Sequence, residues 1–308
     1  MFHGIITIEA VSSTMSGREW FIQRYRDMGS DLTGDETTPQ AIRINPLKTS
    51  DTELIETLTE QGVKLEKIPY LDHGYKVMGS PFSLGASIEY LLGLYSLQET
   101  ASQYPVQVLK PTPSDKLLDM ASAPGGKTTQ AAAYMQNKGL IVALDVSRTR
   151  LYATENNVER CGVNNTSIHH LDALELPEKP VFTKVLLDAP CSGNYVTDPD
   201  WFKKRAKEDI EYNAEQQRRL ITKALKLLET GGILLYSTCS LEPEENELNI
   251  QWLLENYKVE LLKLDGPGTP ALTEINGVSL DELVGYCRRF WPDQMGTQGF
   301  FIAKVVKL

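Results

Sequence analysis

Cysteine is scarce in this chain: four residues in 308, at Cys161, Cys191, Cys239 and Cys287. None forms a CxxC pair, which argues against a disulfide framework and for reduced thiols in a cytoplasmic protein. Histidine is equally sparse, at His3, His73, His169 and His170, with no HExxH element and no Cys/His cluster, so no metal is expected. Long apolar runs are missing; none approaches the roughly 18 residues that would cross a membrane. Residues 1–15 are mildly apolar, but Glu9 interrupts them and no basic segment precedes, so no secretory leader is expected. Positive charge is in deficit, with 31 Lys and Arg against 41 Asp and Glu for a net charge of -10. That excludes a generally basic nucleic-acid coat, but not local basic patches. No repeat, low-complexity tract or GxGxxG element occurs.

What the chain does have is length and alternation. A chain of 308 residues suggests one large and one small domain. Residues 17–28 read as an amphipathic helix with Trp20, Phe21 and Tyr25 on one side. A strand over 41–45 and a helix over 49–61 follow, the helix capped by Ser50 or Asp51 and stopped by Gly62. Strands over 63–68 and 75–77 complete a βαβ-type unit, read as an N-terminal accessory domain spanning 1–80. Residues 83–95 read as helical, continuing near 98–104, and Pro105, Pro111 and Pro113 punctuate the chain. Strands are then expected over 116–120, 140–145, 166–169, 184–188 and 232–237. Helices over 127–135, 149–161, 208–229 and 244–256 separate them, and a hairpin ends the chain with a strand over 299–306. This alternation predicts an α/β catalytic domain over 81–308 with a doubly wound, mostly parallel sheet.

Two expected strands end in cysteines, each followed by serine. Cys191 stands in Leu186-Leu187-Asp188-Ala189-Pro190-Cys191-Ser192-Gly193, and Cys239 in Tyr236-Ser237-Thr238-Cys239-Ser240. A parallel sheet delivers reactive groups to the carboxyl ends of its strands in this way. The first strand of the alternation runs into Ala121-Ser122-Ala123-Pro124-Gly125-Gly126-Lys127-Thr128. Gly125 and Gly126 let the backbone turn sharply and approach a ligand, and the next helix offers free N–H groups. The segment also resembles a P-loop, with Ala121 at the first glycine position. An ATP- or GTP-binding protein is therefore a rival. Pro124 weighs against it by removing a donor from the loop. Asp145, twenty residues after Gly125, weighs for a nucleoside cofactor held by its ribose hydroxyls.

Taken together, Asp119-Met-Ala-Ser-Ala-Pro-Gly-Gly-Lys-Thr-Thr-Gln130, Asp188-Ala-Pro-Cys-Ser-Gly193 and Tyr236-Ser-Thr-Cys-Ser240 resemble the signatures of the Sun-type RNA cytosine-5 methyltransferases. The likeness extends to Arg43-Ile-Asn-Pro-Leu-Lys48, to Gln98-Glu-Thr-Ala-Ser102 and to Gly299-Phe-Phe-Ile-Ala303, covering residues 40–308. Departures are Ala101 for a common serine, and Asp293 and Gln298 where the final motif often has histidine and aspartate. The resemblance implies S-adenosyl-L-methionine as cofactor and RNA as partner, with tRNA the expected substrate and ribosomal RNA the alternative. Its compact form is similar to archaeal tRNA enzymes of the family, and a monomer is expected.

Cytosine C5 becomes nucleophilic only after a thiolate adds to C6. The resemblance implies Cys239 as that nucleophile and Cys191 as the group that helps resolve the adduct. By sequence alone Cys191 is a rival nucleophile. A free thiol is mostly protonated at neutral pH, and Lys127 is the candidate source of positive charge. Asp188 is assigned to the cytosine N3/N4 edge and the methionine end of the cofactor. The cofactor pocket comprises Ala121, Ser122, Ala123, Pro124, Gly125, Gly126 and Lys127, with Asp145 on the ribose. Arg150 is carried over as a flanking contact, with an exposed helix face as its alternative, and Asp172 as the acceptor of the adenine amino group. Cys161 and Cys287 read as core and loop residues, and His169 and His170 as packing or surface.

Phosphate neutralisation dominates RNA affinity. Basic clusters at Lys203-Lys204-Arg205 with Lys207, at Arg218-Arg219 and at Arg288-Arg289 are therefore candidates. Trp201 beside the first suits base stacking, with burial as an equal alternative. Arg43 and Lys48 are expected on an RNA platform of the small domain.

Overall fold

The computed structural model describes residues 17–308; the expectations on residues 1–15 and on His3 fall outside them. α1 (Gly17–Asp27) buries Phe21, Ile22 and Tyr25, one face of a helix. That face does not join the strands that follow it. Phe21 packs on Trp201 with ring centroids 4.6 Å apart, and Tyr25 Oη donates to Glu242 Oε1 at 2.6 Å. α1 is thus attached to the large domain.

The small domain comprises β1 (Ala41–Ile44), α2 (Asp51–Glu60), β2 (Lys64–Lys67), β3 (Gly74–Gly79), α3 (Ile88–Leu91) and β4 (Tyr95–Leu97). Ser50 caps α2 in a reciprocal box with Glu53, and Leu54 and Leu58 pack on Ile42, Ile44 and Tyr95. The sheet order is β2-β3-β1-β4, with every neighbouring pair antiparallel. β1 and β2 run the same way with β3 between them, a split form of the expected βαβ unit. β4 carries this sheet past residue 80 and lies beyond the expected helix over 83–95. Gly93 breaks that helix: its φ is +75°, and an added Cβ would lie 1.9 Å from the Arg160 carbonyl oxygen.

α4 (Thr100–Leu109) contains Pro105 instead of stopping at it; burial of Tyr104, Val106 and Leu109 outweighs the local penalty. The large domain continues with β5 (Lys116–Asp119), α5 (Gly126–Tyr134), β6 (Leu140–Asp145), α6 (Arg148–Arg160) and β7 (Thr166–His170). After these come β8 (Phe182–Asp188), α7 (Trp201–Lys204), α8 (Lys207–Leu227), β9 (Leu228–Thr238) and α9 (Glu247–Asn256). The end holds β10 (Val259–Leu262), β11 (Thr269–Pro270), a ribbon of β12 (Glu274–Ile275) and β13 (Val278–Ser279), then β14 (Arg288–Phe290), α10 (Pro292–Met295) and β15 (Phe300–Lys307).

The large sheet has the order β11-β14-β15-β9-β8-β5-β6-β7, with β10 also on β15. β7, β6, β5, β8 and β9 are mutually parallel, and β15 joins β9 antiparallel. This is the expected doubly wound, Rossmann-like α/β architecture, with an antiparallel edge larger than the single hairpin expected. Side chains alternate across the strands. Leu118, Val185, Leu187 and Tyr236 pack with Ile221 and Ala224 of α8 and Ile250 of α9. Leu117, Leu186 and Leu235 pack with Val106 of α4 and Ala131 of α5 on the other face. Strand order reverses between β5 and β8, which opens a crevice beyond their carboxyl ends. No helix among the described residues is long and apolar enough to cross a membrane.

Candidate active site

The glycine loop connects β5 to α5 along this crevice. Gly125 has φ +98°, and a Cβ there would come within 3.0 Å of Thr154 Cα, so the position demands glycine. Gly126 has no such need; its added Cβ would only touch Gln98 at 3.7 Å. The expectation that both glycines serve the turn is corrected to Gly125 alone. Three of the loop amides are taken by protein acceptors. Ser122 N–H donates to the Leu144 carbonyl at 2.7 Å, Gly125 N–H to the Ser122 carbonyl at 2.6 Å, and Ala123 N–H to Asp145 Oδ2 at 3.2 Å. Pro124 has no N–H. These three amides are taken up by the protein and Pro124 offers none, which weighs against a P-loop wrapped around a triphosphate.

Two cavities share the loop. One, of about 840 Å³, is lined by Asp145, Val146, Arg150, Asp172 and Leu174, with Tyr212 and Gln216 of α8 opposite. Asp145 is 3% exposed. Its Oδ1 accepts from Ser147 N–H at 2.8 Å, and each carboxylate oxygen keeps a further lone pair for a ligand hydroxyl. Arg150 Nη2 donates to the Ala123 carbonyl at 2.5 Å, so it fastens the loop as well as lining the cavity. Asp172 Oδ1 accepts from Leu174 N–H at 2.9 Å, a loop cap on the cavity wall.

The second cavity, of about 630 Å³, is lined by the loop with Gln98, Glu99, Ser102, Asp119, Asp188 and Gln298. Lys127 Nζ donates to Asp188 Oδ2 and to Ser102 Oγ, both at 2.7 Å, and to neither thiol. Ser237 Oγ donates to Asp188 Oδ1 at 2.7 Å. Asp119, at the end of β5, accepts from Thr128 Oγ1 at 2.7 Å. Burial, with the Asp188 charge adding to it, pushes its carboxyl up to about 7 against the opposing hydrogen bond from Thr128. Asp119 Oδ1 and Ser122 Oγ are buried without a protein partner, as a site shaped for a polar ligand would have them. The motifs do not point to Asp119, Ser102 and Ser237 as site residues. Only Asp119 carries a local signal, an acidic strand end directly before the glycine loop.

Beyond the ends of β8 and β9, Cys191 Sγ and Cys239 Sγ lie 3.2 Å apart, both partly buried. The Cys239 contact and burial push the Cys191 thiol well above the ordinary range. Asn194 Nδ2 donates to the Cys239 carbonyl at 2.7 Å, tying the two loops.

Several RNA-binding expectations are corrected. Trp201 is 2% exposed and its Nε1 donates to the Ser192 carbonyl at 2.7 Å, so it is core beneath the Cys191 loop. Arg289 is fully buried and grips Glu247 through two bonds, at 2.8 and 2.5 Å. Arg218 Nε donates to Asn249 Oδ1 at 2.8 Å. Lys203 and Lys204 remain exposed, paired with Asp200 at 3.0 Å and Asp198 at 2.8 Å. Arg43 is buried, and burial lowers its guanidinium to about 10. Its donors reach Gln98 Oε1 at 2.5 Å, the Gly126 carbonyl at 2.7 Å and Thr129 Oγ1 at 3.1 Å. Asn45 Nδ2 donates to the Gly93 and Cys161 carbonyls, both at 2.9 Å. Lys48 Nζ donates to the Leu92 and Arg160 carbonyls at 2.8 and 2.7 Å. These three residues pin the small sheet to α5 and to the end of α6 instead of facing a ligand. His73, His169 and His170 bond Asp51, Ser167 and the Val146 carbonyl, away from the thiols. Among the described residues no group of three His, Cys, Asp or Glu could hold a metal ion.

Residues 106–306 match the family model of the 16S rRNA methyltransferases RsmB/F, and residues 19–100 that of the N-terminal domain of 16S rRNA methyltransferase RsmF. The 25S rRNA (cytosine-C(5))-methyltransferase nop2 of Schizosaccharomyces pombe is 37% identical over 282 residues, 88% of this chain and 46% of its own. Ribosomal RNA small subunit methyltransferase F of Vibrio cholerae is 37% identical over 279 residues, 87% of this chain and 58% of its own. The chain spans about half the length of the curated relatives it matches. Among solved structures, a methyltransferase homolog protein from Pyrococcus horikoshii is 41% identical with TM-score 0.86, covering 94% of this chain and 95% of that one. NSun6 from Pyrococcus horikoshii, solved with SFG, is 28% identical with TM-score 0.82, covering 94% and 97%.

Proposed function

The chain belongs to the Sun-type family of S-adenosylmethionine-dependent RNA cytosine-5 methyltransferases, and on that premise we propose that it methylates C5 of cytosine in RNA through a covalent Cys239–C6 adduct. The observation that carries this reading is the thiol pair, 3.2 Å apart, at strand ends that adjoin a loop-lined, nucleoside-sized crevice.

The residues fit the cofactor. Asp145 offers lone pairs to ribose hydroxyls, Asp172 to the adenine amino group, and Val146 and Leu174 supply apolar wall. Asp119 Oδ1 and Ser122 Oγ, without protein partners, suit the amino-acid end. SFG, the S-adenosylmethionine analogue in the NSun6 structure, supports the same assignment. When bound, S-adenosylmethionine supplies an electrophilic methyl group.

The chain's own residues handle the pyrimidine ring. Cys239 Sγ, as thiolate, bonds to C6 and pushes electron density to C5. Cys191 keeps its proton and donates a hydrogen bond to that thiolate before attack. Asp188, held between Lys127 and Ser237, faces the N3/N4 edge and stabilises the proton there during addition. Once C5 carries the methyl group, its proton passes to water in the open crevice, the C–H electrons form the C5–C6 double bond, and Cys239 leaves as thiolate. Cys191 is the sulfur nearest the adduct and is assigned to this release. The target base must leave any stack to reach the thiol. A monomer and a cytoplasmic location belong to the same reading.

The sequence resemblance favours tRNA, and the ribosomal names of the curated relatives favour ribosomal RNA. One assay separates them: methyl transfer from labelled cofactor to each transcript, with wild type, Cys239→Ala and Cys191→Ala. We expect no product with Cys239→Ala and a denaturation-resistant protein–RNA adduct with Cys191→Ala. Normal turnover by Cys239→Ala ends this mechanism.

A further inference from the structure

Each thiol is followed by a serine, and both serines are buried, Ser192 at 1% and Ser240 at 0% exposure. Their hydroxyls meet at 3.1 Å, so the Cys191 and Cys239 loops touch behind the thiols as well as at them. Glu245 and Asn246, in the turn before α9, are fully buried as well. Glu245 Oε1 accepts from Ser192 N–H at 2.9 Å, and Oε2 from Ser192 Oγ at 2.7 Å. Asn246 Oδ1 accepts from Thr238 Oγ1 at 2.6 Å, and its Nδ2 donates to the Ser240 carbonyl at 2.9 Å. One of two adjacent residues thus grips the flank of Cys191, and the other grips both flanks of Cys239.

A second layer immobilises the grip. Gln217 Nε2 of α8 donates to the Pro190 carbonyl at 2.9 Å and to Glu245 Oε1 at 3.2 Å. Tyr236 Oη donates to the Glu245 carbonyl at 2.6 Å, and Asn249 Nδ2 to Gln217 Oε1 at 2.8 Å. A carboxyl buried among neutral partners is a poor device for stability, because its desolvation is not repaid by a paired cation. Burial pushes this carboxyl up, against the hydrogen bonds it accepts. Its use is geometric.

We infer that Glu245 and Asn246 act as a caliper: positioning residues that set the Cys191–Cys239 separation and so couple attack to release. The inference rests on the roles proposed above for the two thiols, and its test has a readout that needs no RNA. Phenylarsine oxide bridges two thiols only when they are adjacent, and intact mass reports the bridge. Wild type should take up one bridging arsenical, and Cys191→Ala and Cys239→Ala none. Glu245→Gln keeps an acceptor for the Ser192 amide and a polar partner for its hydroxyl. It should bridge normally and transfer methyl within a few-fold of wild type. Glu245→Asp keeps the charge but withdraws it by one carbon. It should bridge poorly and lose on the order of 10²-fold in kcat, as ångström-scale misplacement does, with KM for the cofactor unchanged. Glu245→Ala should behave like Glu245→Asp if it folds. Wild-type bridging and turnover in Glu245→Asp would overturn the caliper, as would a Glu245→Gln variant as damaged as Glu245→Asp. A wild type that bridges but methylates no RNA would overturn the proposed function, and with it the coupling of attack to release, while the fixed thiol separation would stand.

Discussion

Two polar clusters of this protein, each drawn from short motifs with charged residues, end in opposite surroundings. Arg43, Asn45 and Lys48 place their donors mainly on backbone carbonyls: those of Gly126, Gly93, Cys161, Leu92 and Arg160. Lys127 and Asp188 bind side chains, namely each other, Ser102 and Ser237, on the wall of an open crevice. A backbone carbonyl moves only when the fold moves, so a cation bonded to it is architecture. A side-chain partner can be exchanged for a ligand, so a pair of this kind can take part in chemistry. The first cluster holds the small sheet against the glycine-loop helix, and the second lines the cavity beside the glycine loop.

The contrast can be broken by substitution. Asp188→Asn should lower the methyl-transfer rate by about 10²–10⁴-fold, the usual contribution of a positioned proton-handling group, with an unchanged unfolding midpoint. Single-turnover kinetics and thermal unfolding on the same samples check this. Arg43→Met should do the reverse. Losing hydrogen bonds from a charged, buried donor costs on the order of 3 kcal/mol of stability, read by denaturant titration, while the rate falls less than for Asp188→Asn. If Arg43→Met lost rate without losing stability, the division between the two clusters would fail.

A third test sharpens the chemical side. Asp119 has its carboxyl raised to about 7 from an ordinary 3.8. A raised folded value means the folded protein binds the proton more tightly than the unfolded chain, so stability is lost as pH climbs from the ordinary value through about 7. Asp119→Asn should remove this loss. The variant should gain on wild type by about 1 kcal/mol or more between pH 4 and pH 8, measured without cofactor. Parallel stability curves would show that Asp119 is not the buried acid described. The smallest effect is expected at the surface. Lys203→Ala with Lys204→Ala should leave the unfolding midpoint unchanged, as exposed ion pairs contribute little. If these lysines contact phosphates, the salt dependence of RNA binding should fall by about one unit of slope for each contact; an unchanged slope would clear them of RNA contact.

Much of the fold is readable from periodicity and caps. The strands of the parallel sheet and the capped helix α2 lie where apolar alternation and Ser50 put them, within a residue or two, except that β9 begins four residues before the expected 232. β4 is not readable, because three residues carry no period and Gly93 owes its necessity to the distant Arg160 carbonyl. Pro105 misleads for the same kind of reason, since its helix is kept by burial and not by propensity. In the site, the motifs place the loop and Asp188 on one cavity and both thiols at the adjoining strand ends, because each ends or follows a strand of one parallel sheet. The wall from α8, with Tyr212 and Gln216, has no local signal. Charge alone misassigns Arg43, Lys48 and Arg289, whose partners are far along the chain.

The order of residues is enough to establish an α/β sheet, a glycine loop for a nucleoside cofactor and two strand-end cysteines, because these follow from local periodicity, backbone sterics and short motifs. It leaves the cysteines equivalent and the basic residues free. Three-dimensional packing separates them. It brings the two sulfurs to 3.2 Å, raises the Cys191 thiol, and draws Arg43 and Arg289 into the interior, because hydrogen bonds and desolvation act between groups that only the folded chain makes neighbours.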